Sequence, residues 1–196
     1  MKITSRTLAG IVVLAALVVV FDYAMKYSGL KIPFPPLPFL KFDFTGIPII
    51  LSLLLFGLVP GAFSSAIAFL AILARSGDVI GSSMKGLSEF TTVLGMYFGF
   101  KLAKKFRFPA AFLLGVLTRV ALMTVANFAL IYAGLMAIPT SYKEIPLTYF
   151  LLTGIVNVIQ GCISIFGGYL IYVAIDKRIP GLLKSVTVES EGSRCC

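Results

Sequence analysis

The sequence predicts an all-α integral membrane protein, a six-transmembrane-helix bundle with a re-entrant Pro- and Phe-rich lid loop between helices 1 and 2. Three observations carry that expectation. Of 196 residues, 59% are hydrophobic and 13% charged, and the mean hydropathy is +1.01, a composition no soluble domain of this size sustains on its surface. Long apolar runs alternate with short polar or basic breaks. The basic residues gather at Lys2 and Arg6, at Lys101, Lys104, Lys105 and Arg107, and at Lys177, Arg178 and Lys184; the positive-inside rule makes these segments cytoplasmic, both termini included, which requires an even number of spans. The net charge of +9 is thereby explained by basic cytoplasmic loops on a bilayer protein rather than by nucleic acid.

The expected domain is a single membrane unit over 1–184 with helices at about 7–25, 45–58, 61–75, 83–100, 109–136 and 147–176, followed by a flexible polar tail at 185–196. Helix 1 is too long for a signal peptide and no Ala-x-Ala cleavage signature follows it. Asp22 and Lys26 near its end have the i, i+4 spacing of an ion pair. Next, Pro33, Pro35, Pro36 and Pro38 interleave with Phe34, Phe39, Phe42 and Phe44. So many prolines forbid a helix and favour extended polyproline geometry. So many phenylalanines suit a lid folded over the helices better than a linker in water.

Pro48 lacks an amide hydrogen and fits only a helix's first turn, so helix 2 starts near Thr45, whose hydroxyl is placed to cap it. Asp43 is left just outside. The run is broken at Pro60-Gly61, which makes helix 2 too short to span alone and raises the helix count from five to six. Ala62, Ser64, Ser65, Ala66, Ala68 and Ala71 then give helix 3 a close-packing face. Arg75 to Ser83 reads as a polar break before helix 4.

Polar residues inside spans are costly and are candidates for function. Counting up from the basic boundaries at about 1.5 Å per residue sorts them into two layers. The lower pairs Glu89 with Arg119 as a structural ion pair. The upper gathers Lys85, Asn127, Asn157 and Gln160 beneath the lid, where amides can read the edge of a flat heteroaromatic ligand while Phe39 and Phe42 cover its face. Asp43 and Thr45 form the hinge of that lid.

Other chemistries lack their residues. There is no histidine, and the three cysteines, Cys162, Cys195 and Cys196, make neither a metal cluster nor a disulfide framework. No phosphate loop and no Ser-His-Asp or Cys-His set is present.

The order and spacing of several short motifs resemble the substrate-binding S components of energy-coupling factor (ECF) vitamin transporters, closest to the riboflavin-specific branch. They are Leu40-Lys-Phe-Asp-Phe-Thr-Gly-Ile-Pro48, Phe56-Gly-Leu-Val-Pro-Gly61, Ser83-Met-Lys-Gly-Leu-Ser-Glu-Phe90, Met123-Thr-Val-Ala-Asn127 and Gly154-Ile-Val-Asn-Val-Ile-Gln-Gly161. Gln160 stands where the riboflavin branch has Lys. The resemblance implies a vitamin-capture subunit, with riboflavin as the transported ligand and no cofactor. It also implies a ligand site at Asn127, Asn157, Gln160, Lys85, Phe39, Phe42, Asp43 and Thr45. Ala9, Ala15 and Ala16 on helix 1 would dock on a transmembrane coupling subunit served by two ABC-type ATPases, in a prokaryotic plasma membrane. The alternatives are an S component for another vitamin, a small membrane enzyme of lipid or prenyl metabolism, and a structural subunit.

Overall fold

Polar side chains are buried and apolar ones face outward, the reverse of a water-soluble domain. Asp22, Ser52, Ser64, Glu89 and Thr92 are fully buried, while Val12, Phe63, Leu117, Phe128 and Phe166 are more than half exposed. In a bilayer this sorting is the stable one, because only the bundle interior offers a polar group a partner. The computed structural model describes residues 5–103, 106–139, 142 and 145–178. Its elements are α1 Ser5–Tyr27, β1 Ile32–Phe34, β2 Leu37–Phe42, α2 Gly46–Phe56, α3 Leu58–Ser76, α4 Val79–Leu102, α5 Arg107–Tyr132 and α6 Pro146–Arg178. Of these, α1, α3, α5 and α6 are long and apolar enough to cross a membrane. Lys2, Lys104, Lys105, Lys184 and the tail 185–196, with Cys195 and Cys196, lie outside the described residues.

Small residues set the packing and reveal the direction of each helix. Gly10 of α1 meets the Phe56 ring of α2, Gly61 of α3 meets Val93 of α4, Gly99 of α4 meets Ala111 of α5, and Gly115 of α5 meets Ile165 of α6. In each pair an early residue of one helix lies against a late residue of its neighbour, and the chain runs up and down. By the same alternation α2 runs parallel to α6, with Gly46 against Ser164 and Ile50 against Gly168.

The short second helix is central. It packs on α1, α3, α4 and α6, and eight of its 11 residues are buried. At about 1.5 Å per residue it is roughly 16 Å long, half a bilayer core, but its neighbours shelter it from lipid. Its start differs in one respect from the sequence reading. Pro48 occupies the first turn, yet Thr45 makes no side-chain cap; its Oγ1 is buried without a partner, and the Thr45 amide instead donates to Asp43 Oδ1 at 3.3 Å. The helix break also falls earlier than Pro60-Gly61. Gly57, at φ 95°, ends α2 and begins α3, a conformation that suits glycine, so Pro60 simply lies in the first turn of α3.

Other boundaries move for equally local reasons. Gly77, at φ 67°, closes α3, and Asp78 caps α4 by accepting from the Gly81 amide. The polar break is therefore only Gly77-Asp78, and α4 starts at Val79 rather than near 83. Helix α5 ends at Tyr132 instead of 136, just before Gly134 at φ 70°. The lid is a β-hairpin, not a polyproline segment: β1 and β2 pair antiparallel, with Ile32 opposite Phe42 and Pro33 opposite Lys41. A two-stranded ribbon is all edge, so prolines whose missing N–H would point outward cost it no ladder bond. On α1, Ala9 and Ala16 are exposed, but Ala15 is buried against the bundle and does not share their outward face.

Gly95 and Gly154 test the packing in opposite senses. A methyl group at Gly95 would lie 2.5 Å from the Leu114 carbonyl oxygen on α5, whereas one at Gly154 would meet nothing within 4 Å. Gly95→Ala should cost about 1–3 kcal/mol by forcing two backbones apart, while Gly154→Ala should be neutral or gain about 0.5–1 kcal/mol of helix propensity. Thermal unfolding of the two detergent-solubilised variants by circular dichroism checks the contrast.

Candidate functional site

A cavity of about 390 Å³ opens at the hairpin end of the bundle, within the range of small-molecule sites. The hairpin contributes Phe39, Leu40 and Lys41, α4 contributes Met84, Lys85 and Ser88, α5 contributes Arg119, Met123 and Asn127, and α6 contributes Thr153, Asn157 and Gln160. Because α2 is short, its N-terminus lies well inside the bundle. The hairpin and the long helices enclose the space above it.

Asp43, between the hairpin and α2, anchors the arrangement. The Gln160 carboxamide grips it from α6: Nε2 donates to the Asp43 carbonyl at 2.6 Å and to Oδ1 at 3.3 Å, while the Asp43 amide donates to Gln160 Oε1 at 3.2 Å. Lys85 Nζ lies 2.9 Å from Asp43 Oδ1, and Lys31 Nζ lies 3.9 Å from Oδ2. Burial alone would push the Asp43 carboxyl up. The Lys85 charge and hydrogen bond, the Lys31 charge and the Thr45 amide together outweigh it and hold the group below its ordinary value of 3.8. It is ionised throughout the physiological range.

From Asp43 the polar contacts continue downward without a gap. Lys85 also donates to Glu89 Oε1 at 2.9 Å, and Arg119 reaches the same oxygen at 3.3 Å. Arg119 further donates to Thr92 Oγ1 at 3.0 Å, to Ser88 Oγ at 3.1 Å and to Asn157 Oδ1 at 3.4 Å. The two polar layers expected from depth counting are therefore one network. The counting failed on α6, whose 33 residues span about 50 Å, far more than a bilayer core. Its basic end at Lys177 overshoots the other boundaries and set Asn157 and Gln160 too high.

The expected ligand residues divide accordingly. Lys85, Asn127, Asn157, Gln160, Phe39 and Asp43 line the cavity. Phe42 instead packs edge-on against Phe34 at 6.0 Å, and Thr45 is fully buried; neither lines the cavity. Gln160 and Asn157 spend their carboxamides inside the protein, the latter on Arg119 and the Thr153 carbonyl. Asn127 donates to the Met123 carbonyl at 2.8 Å, and its oxygen takes no hydrogen bond among the described residues. Of the expected pair, Glu89 lies behind the cavity wall and Arg119 lines it.

A second charged cluster escaped the sequence reading. Asp22 does not pair with Lys26; it takes Lys31 at 2.7 Å and Arg75 at 2.7 Å, tying α1 to the hairpin and to α3. The signal was present in Asp22 itself, an acid near the end of an apolar helix that demands a buried cation. Only the fold supplies the partners, nine and 53 residues away.

No model of a known protein family matches the sequence, and no curated protein matches it either. Among solved structures, the chain is similar to one described as the S component of a bacterial ECF transporter, with TM-score 0.69 and 20% sequence identity over 88% of this chain and 96% of that one. The two share a fold.

Two outcomes follow from the Asp43 clamp. Gln160→Leu leaves the Asp43 backbone amide and carbonyl buried without partners, at about 1–3 kcal/mol per group, and should lower the thermal midpoint while speeding hydrogen exchange across the hairpin. The second concerns pH. A carboxyl held below its unfolded value stabilises fully above that value, here 3.8, and loses its contribution as pH falls through the lower folded value. Stability from this group should thus be flat between about pH 5 and 8 and fall only in acid; an Asp43-dependent transition near neutrality, absent in Asp43→Asn, would contradict the ionised clamp.

Proposed function

We propose that this chain is the ligand-capturing membrane subunit of a vitamin uptake system of the ECF type, with riboflavin as the first candidate ligand. The observation that carries the reading is the cavity beneath the hairpin, in a bundle with the fold of the S component of a bacterial ECF transporter. Its wall suits a flat heteroaromatic ring: Phe39, Met84 and Met123 offer apolar faces, and Asn127 offers an uncommitted carboxamide oxygen. The motifs from Leu40 to Gly161 that resemble the riboflavin branch support the same assignment.

On this reading the protein binds and does not catalyse. Asp22, Asp43 and Glu89 each face two cations, which disfavours the carboxylate-held Mg²⁺ that a prenyl- or lipid-phosphate enzyme needs. Energy would come from a separate transmembrane coupling subunit and two ABC-type ATPases. Ala9 and Ala16, exposed on α1, are the available docking positions of the expected three. The hairpin end would face outward from a prokaryotic plasma membrane, with both termini cytoplasmic.

Mass spectrometry of small molecules co-purifying with the protein tests the class, and quenching of riboflavin fluorescence tests the vitamin. Asn127→Ala should weaken binding by about 1–3 kcal/mol if a buried ligand group loses its partner. An unchanged affinity by fluorescence titration removes Asn127 from the site, and the absence of quenching by the wild-type protein removes riboflavin.

A further inference from the structure

Among the described residues, the charges around the cavity do not balance. Ion pairs link Arg75 to Asp22, Asp22 to Lys31, Lys31 to Asp43, Asp43 to Lys85, Lys85 to Glu89 and Glu89 to Arg119. The signs alternate along this row, and both ends are arginines. Four cations therefore answer three carboxylates.

Placement increases the asymmetry at the cavity surface. All four cations line the cavity, but Asp43 is the only one of those three acids that does; Asp22 and Glu89 are fully buried behind it. Lys26 and Lys41 add positive charge to the lining, against Asp78, which spends Oδ1 on the Gly81 amide as the cap of α4. Among the described residues, counting lining and backing groups together gives six cations and four acids, an excess of two positive charges. Donors also remain: Arg75 uses Nε and Nη2 on Asp22, and Lys31 makes one hydrogen bond, also to Asp22. Both lie on the α1–α3 side, across from Asn127 and Asn157 on α5 and α6.

An excess of like charge in a partly desolvated pocket is relieved most directly by a ligand of opposite sign, and charge-assisted bonds to Arg and Lys are the stronger kind. Resting on the reading that this cavity is the vitamin site, we propose that the ligand carries an anionic group, a carboxylate or a phosphate ester, held by Arg75 and Lys31 while its ring lies toward Phe39 and Asn127. Riboflavin is uncharged at neutral pH, so this inference separates it from its own phosphate ester and from acidic vitamins.

Matched pairs test it on the full-length detergent-solubilised protein by calorimetry: riboflavin against riboflavin 5′-phosphate, nicotinamide against nicotinate, biotinamide against biotin, and pantothenol against pantothenate. In at least one pair the anionic member should bind about tenfold or more tightly, and Arg75→Gln should shrink that ratio. If Arg75→Gln does not fold, Lys31→Gln gives the same comparison. Where ligands bind but the neutral member equals or exceeds its anionic partner in every pair, the charge inference is overturned and the vitamin reading stands. Binding by no member of any pair overturns both.

Discussion

The Asp43 carboxylate is the constraint from which the arrangement of the rest follows. A buried ion costs several kcal/mol in lost hydration, and that cost is recovered only when partners of opposite charge and hydrogen-bond donors hold fixed positions around it. For Asp43 those partners arrive from three places: Lys31 before the hairpin, Lys85 on α4 and Gln160 on α6. Each must be in register for the others to be satisfied. The hairpin root, the start of α2 and the upper parts of two long helices are thereby fixed together, and the cavity is what remains between them.

The same constraint accounts for the length of α2. A helix that spanned the bilayer would carry its first turn past Gln160 and fill the space the hairpin encloses. Glycine at the next-but-two position keeps the helix start where it is. At Gly46 a side chain would collide with Ser164 and with Glu89 Oε2, 2.6 Å from the methyl position, so α2 can sit against α6 and beneath Glu89 only without one. Backbone approach, rather than apolar burial alone, sets the floor of the site.

How far the sequence reached follows from what each signal encodes. Pro48 and the glycines near 57–61 mark a short second helix because their constraints are local and survive in any fold. The cavity-lining Lys85, Asn127, Asn157 and Gln160 could be singled out because polar residues in apolar spans must turn inward. Partner choice is not local. Asp22 passed over the lysine four residues away for Lys31 and Arg75, since a hairpin and a helix end converge on it in three dimensions. Thr45 lost its capping role because the Ile47 amide donates to the Phe44 carbonyl and Pro48 has no N–H to offer its hydroxyl. Proline content suggested polyproline for the lid because the pattern records which residues lack an N–H, not which edge of a ribbon they face.

The hairpin is held unequally at its two ends, and the inequality bears on access. At the root, ion pairs and three hydrogen bonds to Gln160 are buried, where the loss of any one strands another polar group at about 1–3 kcal/mol. At the tip, among the described residues, Tyr142 donates one exposed hydrogen bond to the Pro36 carbonyl at 3.0 Å, worth about 1 kcal/mol against competing water. Phe39 and Leu40, between these ends, touch the cavity without being sealed from solvent, Phe39 being 49% exposed. Separating the tip would also expose Leu37, buried next to Pro36, at about 1.5–3 kcal/mol, and would uncover the cavity wall that Phe39 and Leu40 form. Separating the root would dismantle the charge row that defines the site, so the lower-energy route to the cavity passes under the tip, with Asp43 as the fixed end.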